Sequence, residues 1–384
     1  QTGGALTIAG ATTLNQLTQS AGSLSQSAGA FSAAMASLSG GTTAINGAAT
    51  INELTVSDTS TTTFGNTLAS TGTVSVNAGS LTAAGSASLS TLHLTGGNTS
   101  LNSSSSVANL NQSGGTLAGS GDLGLSGTST WSGGTWAGAG STTIANGATL
   151  SVSGSPTLAG RSLTNAGTTT INGSVELDGS ASLHNSGTLI LQTGSVSDSN
   201  ASPGSLSLSN AAGASLTKTG GGAFTLNASL TNIGSLDIQS GSLSLPGFNN
   251  NPGSISIAAG ASLSNGGSAL NNSGTLNLSG GSLTSGALSN SGSVAGSGTL
   301  DLGGATLSND GTLSPGGASA TGTLTILGNY SQSTSGRLNA ELASASDYDR
   351  LNASGSIGLD GRLSISQLNG YTPSAGASHT VLTC

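Results

Sequence analysis

Charge is scarce in this sequence. Charged residues make up 5% of the 384-residue chain and aromatics 2%, where charged residues alone usually reach roughly a quarter. Lys218 is the only lysine, beside four arginines. Nucleic-acid binding needs clustered basic charge, so that class is excluded. A core built on aromatic anchors is excluded as well. The single cysteine, Cys384, rules out an intrachain disulfide and a cysteine-ligated metal site. No run of 18 apolar residues exists, so no membrane-spanning helix is expected. Glycine, 64 residues in all, interrupts every window of ten or so and removes a helical reading. The chain opens on Gln1 with no basic and apolar leader behind it. That fits a secretion signal already removed, or a piece of a longer chain.

What is present argues against disorder. Disordered chains are charged, rich in proline and poor in Leu, Ile and Val. This chain has six prolines and a mean hydropathy of +0.10, and its leucines alternate with polar residues. Its net charge of −8 follows from the shortage of bases.

The informative signal is a repeat. An asparagine recurs two residues before a glycine at Asn165, Asn185, Asn232, Asn251, Asn272, Asn290 and Asn309. The glycines, at 167, 187, 234, 253, 274, 292 and 311, step by about 20 except for one step of 47. That long step fits two turns with an insertion around Asp198 to Pro203. At two and four residues past the glycine stand Leu189 and Leu191, Leu236 and Ile238, Ile255 and Ile257, Leu276 and Leu278. Alternation of two puts one face inward and one outward. One coil reads as strand Thr275 to Leu278, corner Gly280-Gly281, strand Ser282 to Ser285, corner Gly286, then Ala287 to Ser289. The asparagines are assigned to the corners, where Asn and Gly tolerate positive φ. The spacing predicts an all-β fold, a right-handed parallel β-helix or β-solenoid with triangular coils of about 20 residues. At about 4.8 Å per coil, such a solenoid would form a rod.

Three regions are expected. Residues 1–160 form less regular coils without lysine or arginine, 161–330 form the regular Asn-x-Gly coils, and 331–384 form a terminal capping region. The last holds Arg337, Arg350 and Arg362 with Glu341, Asp347, Asp349 and Asp360. Charged side chains with Tyr330, Tyr348 and Tyr371 suit a cover for the strand edges of a last coil.

Segments such as Ala108 to Gly121, Thr130 to Gly140 and Thr143 to Leu150 resemble repeat units of large bacterial secreted β-helix proteins. Gly311-Thr-Leu-Ser-Pro-Gly316, Gly322 to Gln332, Tyr348-Asp-Arg-Leu-Asn352, Gly361-Arg-Leu363 and Gly370-Tyr-Thr-Pro373 resemble the end of passenger domains in autotransporter-type adhesins. The resemblance covers about 311–383. It implies a β-helix secreted to the cell surface and no single ligand.

Chemistry-bearing residues are few. Glu176 and Asp178 in Val175-Glu-Leu-Asp178 point outward together, about 6.6 Å apart along a strand. That lies within the ~6.5–9.5 Å separation of inverting glycosidases, and neighbouring coils would have to add Arg161 or His184. Solvated acids on an exposed face is the simpler reading. Asp347, Asp349 and Arg350 suit either a calcium or catalytic role or a structural salt bridge or turn, and their place in the resembling motif favours the structural role. Trp131 and Trp136 flank Gly133-Gly134 and either contact a glycan or pack on each other. His93, His184 and His379 show no ligand spacing. A G-x-G-x-x-G match at Gly119 is what glycine content alone produces, and no helix follows it. No cofactor is expected.

These features describe a secreted cell-surface structural or adhesive β-solenoid rod that is not an enzyme. Two alternatives stand: a self-assembling subunit of an extracellular filament, and a polysaccharide-active enzyme on a β-helix. The partners this reading allows are further copies end to end, a glycan, or a host or abiotic surface.

Overall fold

The computed structural model describes residues 1–198 and 207–384. β-Strand is the only regular secondary structure among them. Every strand pairing with a described register is parallel, and one antiparallel bridge joins Leu342 to Tyr348. Parallel coils stack into a β-solenoid, as the period of about 20 predicts. The described residues fall into two compact units, built mainly on Gln1–Leu189 and on Ser207–Cys384. The insertion expected around Asp198 to Pro203 lies, beyond Asp198, outside the described residues.

In the first unit one inward ladder runs Leu24, Thr43, Thr62, Leu81, Thr99, Leu117, Trp136, Leu158, Leu177. All nine side chains are buried. In the second unit the register runs Leu216, Leu236, Ile255, Leu276, Val294, Leu313. Leu236, Ile255 and Leu276 therefore share one ladder, and Leu189 is buried in the first unit. Each such leucine contributes ~1.5–3 kcal/mol by leaving water. Beyond Leu313 the step widens, to Leu338 and then to Leu363. The region expected to cap the solenoid carries further strands in parallel register: Arg337–Leu342, Arg350–Ala353 and Arg362–Gln367.

Two local features differ from the sequence reading. Thr275–Thr284 is one strand that passes through Gly280-Gly281, with a register shift there rather than a break. The asparagines close strands, as expected, but none has positive φ. Among the described residues only Asp58, Ser319 and Asn369 do so without being glycine. The paired glycines also lack positive φ. Close approach is what requires them: a Cβ on Gly274 would overlap the carbonyl oxygen of Gly253, and one on Gly292 that of Gly274. The row is a stack of backbones too close for any side chain.

Candidate functional site

The repeated asparagines are fully buried. Alternation explains why. In Leu163-Thr-Asn165, Leu230-Thr-Asn232, Leu270-Asn-Asn272 and Leu288-Ser-Asn290 the leucine points inward, so the residue two places on does too. Each amide then meets the equivalent amide of the next coil. In the second unit Asn210 Nδ2 donates to Asn232 Oδ1 at 2.8 Å, Asn232 to Asn251 at 3.1 Å, and Asn251 to Asn272 at 2.7 Å. Asn272 donates to Asn290 and Asn290 to Asn309, both at 2.8 Å. The second N–H of each goes to a backbone carbonyl of that next coil: Ser235, Ser254, Thr275, Ser293 and Thr312 in turn. Asn165 makes the same pair of bonds, to Asn185 Oδ1 and Thr188 O, in the first unit. From Asn232 to Asn290 each amide thereby bonds both N–H groups and its oxygen, the condition for burying it without penalty. Asn210 is the member the spacing missed, because Ala-Ala-Gly follows it.

The second unit's ladder ends on a phenol. Asn309 Nδ2 donates to Tyr330 Oη at 3.3 Å, and Tyr330 donates to Gln332 Oε1 at 2.7 Å. Burial pushes the Tyr330 hydroxyl up to about 12, so it stays protonated and keeps donating.

Other interior donors do the same work. Gln19 Nε2 donates to Gly22 O and Thr42 O, and Gln112 Nε2 to Gly115 O and Thr135 O. Lys218 is buried, and its ammonium donates to the carbonyls of Thr219, Gly220 and Ser240. Burial lowers its pKa. Arg161 is 1% exposed and uses all five N–H groups. Nε donates to Thr142 Oγ1 at 2.7 Å, Nη1 to Gly119 O and Ala137 O, and Nη2 to Gly121 O and Ser141 O. Burial lowers the guanidinium pKa, opposed by Asp122. Sequence reasoning named Arg161 only as a possible addition to the outward Glu176 and Asp178 pair and assigned no place to Lys218, Gln19 or Gln112. The signal for Gln112 and Lys218 was the same alternation: Leu110-x-Gln112 and Leu216-x-Lys218.

Of the two roles left open for Trp131 and Trp136, burial favours packing over a glycan contact. Trp131 and Trp136 are 1% and 0% exposed and stack face to face, centroids 4.1 Å apart and planes 9° from parallel. Trp136 Nε1 donates to Gln112 Oε1 at 2.7 Å. Neither ring face is free for a sugar. Their fluorescence is expected to be blue-shifted, insensitive to iodide and unchanged by added oligosaccharides. A quencher-accessible, sugar-sensitive emission would contradict the packing.

Glu176 faces outward, with Asp178 two residues on the same side. Thr157 Oγ1 donates to Glu176 Oε2 at 3.4 Å. The structure does not bring Arg161 to them, because its guanidinium is committed inside. His184 is exposed on strand Ser182–Asn185. His93 lies on an outer face beside Asn111, Nδ2 to Nε2 3.1 Å, and His379 packs between Tyr348 and Tyr371. Among the described residues no three His, Cys, Asp or Glu side chains are grouped to hold a metal ion.

Asp349 is the one fully buried carboxylate among the described residues. Its Oδ1 accepts from Gly322 N at 2.9 Å and its Oδ2 from Glu341 N at 2.8 Å. Arg350 turns away to lie 4.2 Å over the Tyr348 ring and to donate to Ser346 O. Asp347 accepts from Thr321 Oγ1.

One outer face of the first unit is short and uncharged over many coils. One rank runs Ser23, Thr42, Thr61, Ser80, Asn98, Thr116, Thr135, Thr157, and the rank two residues on runs Ser25, Ala44, Thr63, Thr82, Ser100, Ala118, Ala137, Ala159. The first carboxylates in these ranks are Glu176 and Asp178. No protein-family model, no curated protein and no solved structure matches this chain.

Proposed function

We propose that this chain is a secreted, cell-surface structural or adhesive β-solenoid without catalytic activity. One observation carries the reading. The residues best equipped for chemistry or recognition, Arg161, Lys218, both tryptophans and the asparagine row, are turned inward and consumed in holding coil to coil. What faces outward in the first unit is mostly short hydroxyl and methyl side chains in register. That division suits a chain whose product is its own repetitive surface. The resemblance of residues 311–383 to the end of adhesin passenger domains supports the same reading and the cell-surface location.

Two measurements test it. Antibody staining of intact producing cells should label their surface, and exclusive labelling after permeabilisation would overturn the location. Incubation with neutral and acidic polysaccharides should release no reducing ends, and Glu176→Gln with Asp178→Asn should change nothing. Release that these two substitutions abolish would establish the polysaccharide-active alternative instead.

A further inference from the structure

The four arginines divide by what they face. Arg161 is committed inside and Arg350 lies over Tyr348. Arg337 and Arg362 face outward. Register sets them directly opposite each other on successive coils, both exposed, where neighbouring strands run about 4.8 Å apart. Like charges so placed repel, and neither side chain has a hydrogen-bond or ion-pair partner among the described residues. Asp360, just before Arg362 in sequence, accepts from Gly361 N. In a chain of net charge −8, this pair is a local positive site without a counter-charge.

Arg337 stands at one end of a groove of about 430 Å³ on the outer face of this unit, within the ~300–1,000 Å³ of small-ligand sites. Asn339 lies on its floor with Ser314, to whose Oγ its Nδ2 donates at 3.1 Å, and with Ser364 beside it in register. Glu341 lies at the other end, about 13 Å from Arg337 along the strand. Its carboxylate makes no hydrogen bond among the described residues. We propose that this groove binds an acidic glycan, with a carboxylate or sulfate held by Arg337 and Arg362 and neutral sugar hydroxyls along the floor to Glu341. The inference rests on the adhesive half of the proposed function and supplies its ligand class.

The chemistry of the groove selects that class. Each guanidinium offers a planar fork that matches a carboxylate or sulfate, and one anion shared by both forks removes their repulsion. Serine hydroxyls and an asparagine amide both donate and accept, as sugar hydroxyls require. Glu341 accepts only, so it suits a hydroxyl and repels a second anion. A glycan that alternates acidic with neutral sugars therefore fits better than one with an acid on every sugar. Single-stranded nucleic acid carries a phosphate at every step and stacks its bases on aromatic side chains, and no aromatic side chain lines this groove.

Titration calorimetry of the full chain at low salt tests the site with three oligosaccharides of equal length. Hyaluronan carries a carboxylate on alternate sugars, keratan sulfate carries sulfate and no carboxylate, and polygalacturonate carries a carboxylate on every sugar. Hyaluronan, keratan sulfate or both should bind, which tells carboxylate from sulfate, and polygalacturonate should bind more weakly. Arg337→Gln and Arg362→Gln should each weaken binding ~10-fold or more without lowering the thermal midpoint, since each removes a like-charge contact. Glu341→Gln should narrow the preference over polygalacturonate. The proposal is overturned if neither hyaluronan nor keratan sulfate binds, or if the arginine variants bind as the wild type does. A preference for polygalacturonate, or a preference that Glu341→Gln leaves unmoved, overturns it too. Surface staining is independent of these titrations: stained cells whose protein binds no glycan lose this site and keep the location, and binding by a protein that never reaches the surface does the reverse.

Discussion

Replacing Asn272 by leucine is expected to lower stability by about 2–6 kcal/mol, far more than its volume change suggests. The amide accepts from Asn251 and donates to Asn290 Oδ1 and Ser293 O. Leucine leaves the last two as buried acceptors without donors, each costing ~1–3 kcal/mol. Asn272→Asp separates polarity from hydrogen-bond direction. Its carboxylate still accepts from Asn251, but it turns oxygen toward the two acceptors that Nδ2 served. That raises its pKa in the folded chain, so the loss is complete at neutral pH and recovers as the pH falls through the raised value. Thermal and urea midpoints at pH 4 and pH 7 measure this. Wild-type midpoints in the leucine variant would show that the ladder carries no stability, and a pH-independent loss in the aspartate variant would show that donor direction is irrelevant.

Arg161→Met should be of similar severity, about 4 kcal/mol. Four backbone carbonyls, at Gly119, Gly121, Ala137 and Ser141, lose their donors, at ~1 kcal/mol or more each. Relief from burying the guanidinium offsets part of this. Arg161→Lys should recover only part of the loss, because one ammonium replaces a five-donor fork that spans carbonyls on different coils. Asp122→Asn should stay close to wild type, since Asp122 is exposed and Ser141 is its hydrogen-bond partner. Full rescue by lysine would mean that charge, and not the fork, is what the interior uses. Urea midpoints of the four chains decide it.

Leucine alternation and the recurrence of glycine near every 20 residues made the solenoid legible, because both are spacing signals and a coil is a spacing. Direction was harder to read. Asn, Gly and Thr occur at corners, on outer faces and inside this fold, and composition does not distinguish the three. Asn272 was assigned to a corner for its tolerance of positive φ, although its place two residues after Leu270 already put it inside. Gly274 was credited with conformational freedom, although what it supplies is the absence of a Cβ. Arg161 was placed only as a possible neighbour of the outward Glu176 and Asp178, and nothing in the residue type of Arg161 or Lys218 points inward, because long cations are seldom buried. Only the inward-turned carbonyls, which no residue type announces, account for them. Trp131 and Trp136 were correctly left open between packing and recognition, and their mutual stack closes the question.

The sameness of the bonds in the asparagine row bears on how this chain can change over generations. Each amide gives its two N–H groups to the next period and takes one N–H on its oxygen from the period before. Excising Ser273–Asn290 would join Asn272 to Ser291-Gly292, restoring the local Asn-Ser-Gly and presenting Asn309 where Asn290 had been. Loss or gain of a whole period therefore conserves the interior, while insertion of one residue turns every inward side chain of its strand outward. Recombination between repeats of the gene thus has a permitted step size, one period. The protein's length can drift in those steps without a new core having to evolve.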